Sequence, residues 1–368
     1  MPSRYRLYGA ELSLYSGKVR SYLRKKGLAF DEIAASLKIY KKLIVPKTGV
    51  SYIPVVETPS GEFLQDTSII IESIEAQHTD HSALPTTPKQ RFVAQLIELY
   101  ADEWLVIPAM HYRWNFPEQN QPFIYQEFGR VVLPWAPRWL RAKVGRKAGA
   151  RFKGAVENLG ITPSTIPAIE TSYKAFLADL NEHFAHAPFV LGTKPSIADF
   201  GLIGPLYAHL YRDPYPGQLM RHHAPRVADW VERMMNTSPD LQQGEYFADD
   251  QIPASLEPII QRFAQEQWPV LKDTNSRLGA WVAENAQTKV PRYIGKHRFV
   301  IGDAAGERVV LPYSLWMLQR LLEQPETVQL ADDASFVKWL NQVGLGDILS
   351  LKFETPMSRV NNRLTIRG

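Results

Sequence analysis

From Arg4 to Gly9 apolar and polar positions alternate, and the stretch Glu11 to Lys18 is polar, so the chain opens with a short strand and a loop. Between Lys18 and Lys26 the spacing changes. Val19, Tyr22 and Leu23 recur at helical intervals among basic residues, and Gly27 stands where a helix end favours a left-handed residue. Leu28 to Ala34 reads as a second strand, completing a βαβ unit. A third strand, Ser51 to Val56, carries Pro54 at its entrance, where a missing N–H is tolerated. Pro59-Ser60-Gly61-Glu62 supplies turn chemistry and Phe63-Leu64-Gln65 a returning strand. Asp66-Thr67 then offers caps for a helix from Ser68 to about Gln77. The order to about residue 85 is therefore β-α-β-α-β-β-α.

After Pro85 and Pro88 the pattern turns to long amphipathic helices: Gln90 to His111, Ile166 to Phe184, Ser196 to Tyr211 and Arg226 to Asn236. The strongest start signal is Ser196-Ile197-Ala198-Asp199, a capping box flanked by Pro195 and Phe200 as a hydrophobic staple. Beyond Gln242 the pattern predicts one helix from Ser255 to Asn285. A hairpin of Arg298–Ile301 with Arg308–Leu311 around a turn at Gly302–Gly306 comes next, and helices at Tyr313–Gln324 and Ala334–Val343 close the chain. The expected parts are an α/β domain over 1–85, an all-helical domain over 86–241 and a mixed α/β extension over 242–368. Apolar residues of the extension, among them Trp281, Trp316, Leu318, Leu321 and Trp339, require it to pack against something.

Composition narrows the chemistry. The 368 residues are 45% hydrophobic and 22% charged, ordinary values for a globular protein of more than one domain. No run approaches the ~20 apolar residues that cross a bilayer, and the opening MPSRYRLYGAELS lacks a signal-peptide core, so a cytoplasmic location without a membrane span is expected. Cysteine is absent, which removes disulfides, thiolate nucleophiles and thiolate metal sites together. Adjacent His222-His223 cannot both face one ion from a helix, so no metal is expected. A net charge of +4 is too mild to imply a nucleic-acid partner. One run is less mild. Between Glu127 and Glu157 lie Arg130, Arg138, Arg141, Lys143, Arg146, Lys147, Arg151 and Lys153 without an acidic residue, which reads as a solvated helix face or a loop facing anionic small molecules, with membrane-surface or nucleic-acid contact beside Trp135 and Trp139 as the alternative.

The N-terminal order of elements, the Ile53-Pro54 step and the Gln65-Asp66-Thr67 turn together resemble a glutathione transferase over about residues 4 to 240. The stretch Ser13-Leu14-Tyr15-Ser16-Gly17-Lys18-Val19-Arg20 is similar to the serine-type motif S-P-F-S-x-K-V-R, departing from it at Leu14, where proline is usual. The resemblance implies a thioredoxin-like glutathione-binding domain over 1–85, an electrophile site in the helical domain, glutathione as co-substrate and a homodimer. It also implies that the Ile53-Pro54 bond is cis, with the Ile53 backbone pairing with the cysteinyl part of glutathione like an added strand. Ser13 aligns with the family's serine.

The residues support the same site on chemical grounds. Glutathione carries a carboxylate and an ammonium at one end, a thiol, and a carboxylate at the other. Thr67 at a helix start offers N–H groups and a hydroxyl to a carboxylate, Asp66 and Gln65 can take the ammonium, and Lys41 or Lys47 can hold the glycyl end. A hydroxyl at the start of the helix near Ser16 can donate to sulfur and favour the thiolate, which is the nucleophile. Ser13 and Ser16 are the catalytic candidates, with Tyr8 or Tyr15 as tyrosine-type solutions and a helix cap as the alternative role of Ser16. Without cysteine, thiol exchange through a protein–glutathione mixed disulfide is excluded, leaving addition, substitution or ether cleavage. The partner is then a hydrophobic, aromatic electrophile, held between the domains by Tyr15, His111, Tyr112 and Trp114 from a segment dense in aromatics that also includes Trp104, Met110 and Phe116. The rival from another class is a non-catalytic glutathione-binding or scaffold protein.

Overall fold

The computed structural model describes residues 4–285 and 288–367. Its elements in chain order are β1 (Tyr5–Gly9), α1 (Leu14–Lys25), β2 (Phe30–Ala34), α2 (Leu37–Ile39), α3 (Val45–Thr48), β3 (Val55–Glu57), β4 (Phe63–Gln65) and α4 (Thr67–Gln77). Then follow α5 (Pro88–Glu103), α6 (Val106–Trp114), α7 (Pro117–Val132), α8 (Arg138–Lys153), α9 (Ile166–His183), α10 (Ile197–Ala208), α11 (Pro214–His223) and α12 (Pro225–Met235). The extension holds α13 (Glu257–Glu266), α14 (Trp268–Glu284), β5 (Lys296–Ile301), β6 (Ala304–Val309), α15 (Pro312–Leu322), α16 (Pro325–Gln329), α17 (Ala334–Gln342), β7 (Met357–Val360) and β8 (Arg363–Ile366).

The first part is a thioredoxin-like domain. Its sheet runs β2-β1-β3-β4, with β1 parallel to β2 and the other two pairs antiparallel. Covered by α1 and α4 on one face, β1 buries Leu7 there, while Tyr8 joins Ile44 and Val55 in a small separate cluster on the other. In the helical domain the capping box at Ser196 and Asp199 is formed, and Gly201 brings α10 so close to α5 that a Cβ would lie 2.8 Å from the Glu98 backbone. The basic run becomes α8, which packs as a hairpin on α7. Gly145 allows the closest approach, because a Cβ there would meet the Tyr125 carbonyl at 1.8 Å.

The extension shares the helical domain's core rather than forming its own: Phe336 meets Phe92 edge-on at 5.4 Å and Phe299 meets Trp104 at 6.1 Å. Three expectations for it change. The helix over 255–285 breaks at Gln267, ahead of the Trp268-Pro269 start of α14. The first hairpin turns on Gly302 and Asp303 alone, Ile301 pairing directly with Ala304. The chain closes on the β7–β8 hairpin instead of a helix, its turn made by Asn361 and Asn362 at φ 49 and 61. The first helix likewise begins at Leu14, earlier than the periodicity suggests, because Ser13 caps it.

Candidate glutathione groove

Register brings the N-terminal candidates to one edge of the sheet. Tyr8 pairs with Val55 and Val55 with Gln65, so Gly9, Pro54 and Asp66 stand side by side where the three strands end. From that edge the chain enters α1 through Ser13 and α4 through Asp66. Two helix N-termini, each with N–H groups that have no partner within the helix and with the positive end of its dipole, therefore face the same space. The Ile53-Pro54 peptide is cis, Ile53 is half-buried and Pro54 is buried. Asp66 holds φ at 88°, a conformation that Asp tolerates better than bulky residues. Its Oδ1 caps α4 by accepting from the N–H groups of Ser68 at 3.1 Å and Ile69 at 3.5 Å. Thr67 is the first helical residue.

The four hydroxyl candidates separate by what they already touch. Ser13 is half-buried, and its Oγ accepts from the Ser16 N–H at 3.3 Å, which leaves its own proton to donate. Ser16 is fully buried under the end of β1 and accepts from the Ala10 N–H at 3.2 Å. Tyr8 donates to Glu57 Oε2 at 2.6 Å, and burial together with that carboxylate pushes its hydroxyl up to about 12. Tyr15 donates to the Asp102 carbonyl at 3.1 Å, and burial pushes it well above its ordinary value. Lys41 and Lys47 are exposed and, among the described residues, paired with no carboxylate. Lys47 Nζ lies 5.3 Å over the Phe63 ring.

The loop that carries Ser13 is held from below by a group the sequence reading did not single out. Arg113 binds Asp213 through Nε at 2.7 Å and reaches the Leu12 carbonyl at 2.9 Å and the Ala208 carbonyl at 2.7 Å. On the other side Glu11 accepts from Tyr207 and pairs with Arg20 at 3.1 Å. Lys18 of the serine-type motif points away from the groove into a buried cluster, 2.5 Å from Asp102 Oδ2 and 2.6 Å from Glu98 Oε1, tying α1 to α5. Burial alone would push this ammonium down, but the two carboxylates overcome it and keep Lys18 charged. Their own burial raises Asp102.

The other end of the groove is covered by the extension. Tyr313, at the start of α15, donates to Asp66 Oδ2, and Arg359 of β7 donates to Gln65 Oε1. Asn362 reaches the Thr48 carbonyl at 2.9 Å and Arg363 the Gly49 carbonyl at 2.9 Å. The Arg292 guanidinium lies 5.6 Å over Tyr52. Gln65 and Thr67 are left 7% and 6% exposed, so the end chemically suited to a γ-glutamyl group is closed. Apart from Asn362, half of a turn-forming Asn-Asn pair, these partners carry no local sequence signal. They become neighbours only through the fold.

The aromatic segment lies inside the helical domain. His111 is buried between Glu170 at 3.1 Å and Asn115 at 2.9 Å, Tyr112 stacks on Phe116 at 5.5 Å, and Trp114 stacks on Phe128 at 6.1 Å. Trp104 donates to Glu266 at 2.8 Å. Where α5 ends, Glu103, Trp104, His297, Arg308 and Ser314 border a small cavity closed by α14, α15 and β6. Glu103 accepts from Ser314 Oγ at 2.6 Å, and burial pushes its carboxyl up to about 7. Arg308 stacks on Trp104 at 5.0 Å, and burial lowers it to about 10. Of the substrate candidates, Tyr15 lies in the first turn of α1 next to Ser13, while His111, Tyr112 and Trp114 lie on α6.

A thioredoxin-like sheet with a cis-proline edge, followed by a helical domain, defines the class, and comparison with known families gives the same answer. Residues 7–82 match the glutathione S-transferase N-terminal domain and residues 163–233 the glutathione S-transferase C-terminal domain. The chain thus carries the N- and C-terminal domains of the glutathione S-transferase family, with a further C-terminal region beyond both. No curated protein matches the sequence. Among solved structures it is similar to a tau-class glutathione S-transferase from mango, Mangifera indica, at 17% identity over 66% of this chain and 94% of that one, with a TM-score of 0.42. Another is the β-etherase LigF from Sphingobium sp. strain SYK-6, at 15% identity over 65% and 97%, TM-score 0.45. A third is a glutathione S-transferase from Methylobacterium radiotolerans in complex with glutathione sulfonate, at 20% identity over 68% and 100%, TM-score 0.40. At this distance they do not decide the activity. Among the described residues no helix is long and apolar enough to cross a membrane.

Proposed function

We propose that the protein is a glutathione transferase that holds glutathione along the Ser13–Pro54–Asp66 edge and activates its thiol as the thiolate. The observation that carries this is the convergence of two helix N-termini on one sheet edge, with the Ser13 hydroxyl proton uncommitted at one and an Asp66 carboxylate at the other. Thiolate and carboxylate are the two anionic groups of glutathione that this edge suits, and the ammonium completes the match at Asp66 and Gln65. Ser16, Tyr8 and Tyr15 are each engaged or buried, which favours Ser13 as the donor to sulfur. Lys41 and Lys47 are free to take the glycyl carboxylate. The thiolate then attacks an apolar electrophile by addition or substitution. The division at 1–85, 86–241 and 242–368 is kept, with Tyr15 the one substrate candidate on α1.

The test pairs calorimetric titration of glutathione with turnover of an aryl halide, on wild type and Ser13→Ala. Wild type is expected to bind and turn over. Ser13→Ala is expected to bind within about threefold while losing ~100-fold in rate, the scale of one preorganised donor to a developing or stabilised anion. Retention of full rate by Ser13→Ala removes Ser13 from the mechanism. No binding by wild type at millimolar glutathione removes the enzyme reading.

One observation favours a second reading, a non-catalytic member that uses the fold as a scaffold: the extension closes the γ-glutamyl end. Turnover by wild type separates the two.

A further inference from the structure

The β7–β8 hairpin runs along the groove from the γ-glutamyl end to the Thr48-Gly49 side, meeting it through the side chains of Arg359, Asn362 and Arg363. Arg359 presents a cation to Gln65, the residue suited to the ammonium of glutathione, and Asn362 and Arg363 latch the opposite side through the carbonyls of Thr48 and Gly49. The two ends of the hairpin are anchored unequally. Its base is fixed. Met357 is fully buried, and its backbone N–H and carbonyl both pair with the Gln319 side chain, at 2.8 and 3.0 Å. Arg367 forms a two-pronged pair with Glu323 at 2.9 and 3.0 Å. Leu364 and Ile366 of β8 pack on the core and pair through the backbone with Val290 at 3.0 Å and Thr288 at 2.8 Å, so they belong to the anchored part. At the tip Arg359 and Asn362 are half-buried and Val360, Asn361 and Arg363 exposed, which leaves residues 359–363 resting on the groove through polar contacts. A segment rigid at its base and polar at its tip can lift at small cost, since each contact is exchanged for one with water.

We propose that the β7–β8 hairpin is an internal competitor for the glutathione groove, with Arg359 seated where the ammonium of the γ-glutamyl group belongs and Asn362 and Arg363 as its latch. This rests on the glutathione reading above and adds regulation to it. Glutathione binds when the tip lifts, and Tyr313, on the buried helix α15, stays behind. The apparent affinity for glutathione is the intrinsic one multiplied by the open fraction, so a tip closed nine-tenths of the time weakens binding about tenfold.

The experiment uses the full chain as wild type, Arg359→Lys and the double variant Arg359→Ala/Arg363→Ala. Glutathione affinity is measured by calorimetry, and amide hydrogen exchange of residues 357–366 is followed with and without saturating glutathione. The double variant is expected to bind about tenfold tighter than wild type, with Arg359→Lys between them because an ammonium cannot reproduce the planar fork. Exchange at the tip, residues 359–363, is expected to rise in wild type on saturation, a readout that needs no substitution. Equal affinity in all three chains, or unchanged exchange on saturation, overturns the competitor and leaves the glutathione reading standing. Weaker binding by the double variant also overturns it, making Arg359 a part of the glutathione site instead. Absence of binding in every chain removes both readings.

Discussion

Asp66 and Asp199 both cap helices, and they use their oxygens differently. Asp199 is fully buried and faces inward with both. Oδ1 takes the Val190 N–H at 3.0 Å and Trp230 Nε1 at 3.1 Å, while Oδ2 takes the Ser196 N–H at 2.9 Å and Ser196 Oγ at 3.0 Å. Every donor comes from its own helical domain. Asp66 caps α4 with Oδ1 alone and turns Oδ2 outward, where its partner is a tyrosine 247 residues away in the sequence. A carboxylate satisfied within its own domain builds the fold. One with an oxygen left over offers a site to whatever arrives, here the extension and, on the account above, the amine of glutathione.

Breaking the closed cap should cost most. Asp199→Ala strands four donors in the interior, the N–H groups of Val190 and Ser196, the Ser196 hydroxyl and Trp230 Nε1, and should lower unfolding free energy by about 4 kcal/mol in urea titrations. A loss below ~1 kcal/mol would mean that water replaces the carboxylate and that the cap is not closed.

Glu103 lies between the two cases, buried with the Ser314 hydroxyl as its hydrogen-bond partner and with Asp102, Arg308 and Asp66 as charged neighbours. Its folded value is raised from about 4.5 to about 7, so the folded chain holds the proton more tightly than the unfolded one. Stability therefore falls as pH rises through that window and levels off above it. Between about pH 5.5 and 8 the loss from this residue should be about 2 kcal/mol. Asp199, raised to about 6, and Asp102 act in the same direction, so the wild-type slope contains all three. Glu103→Gln should flatten the slope by its own share. An unchanged slope places the proton elsewhere.

The smallest effect belongs to the open cap. Asp66→Asn keeps an oxygen for the Ser68 and Ile69 N–H groups and suits the left-handed backbone, so unfolding free energy should change by less than about 0.5 kcal/mol. Glutathione affinity should nevertheless fall about tenfold, near 1.4 kcal/mol. If stability and affinity fall together, the carboxylate is structural in the way Asp199 is.

The fold was legible where periodicity and punctuation agree. The alternation of β1, the Pro59–Glu62 turn and the capping box at Ser196 each have a local cause, and each is found. The closing hairpin was missed because its strands are four residues each, although Asn361-Asn362 is a type I′ turn signal that could have found it. The candidate site divides in the same way. The residues 13, 53–54 and 65–67 share one edge because strand register follows from the same alternation. The fate of His111, Tyr112 and Trp114 could not be read, since an aromatic run gives the same spacing in a core as beside a ligand. Tyr313 and Arg359 come from 247 and 294 residues beyond their partners, and no local pattern reaches that far.

The most direct test of the open cap is a double-mutant cycle by calorimetry, titrating glutathione and its analogue lacking the α-amine into wild type and Asp66→Asn. Removal of the amine should weaken binding about tenfold in wild type and leave it nearly unchanged in Asp66→Asn, because the partner of the amine is already gone. Equal losses in both chains would contradict the account, showing that the amine of glutathione does not meet Asp66.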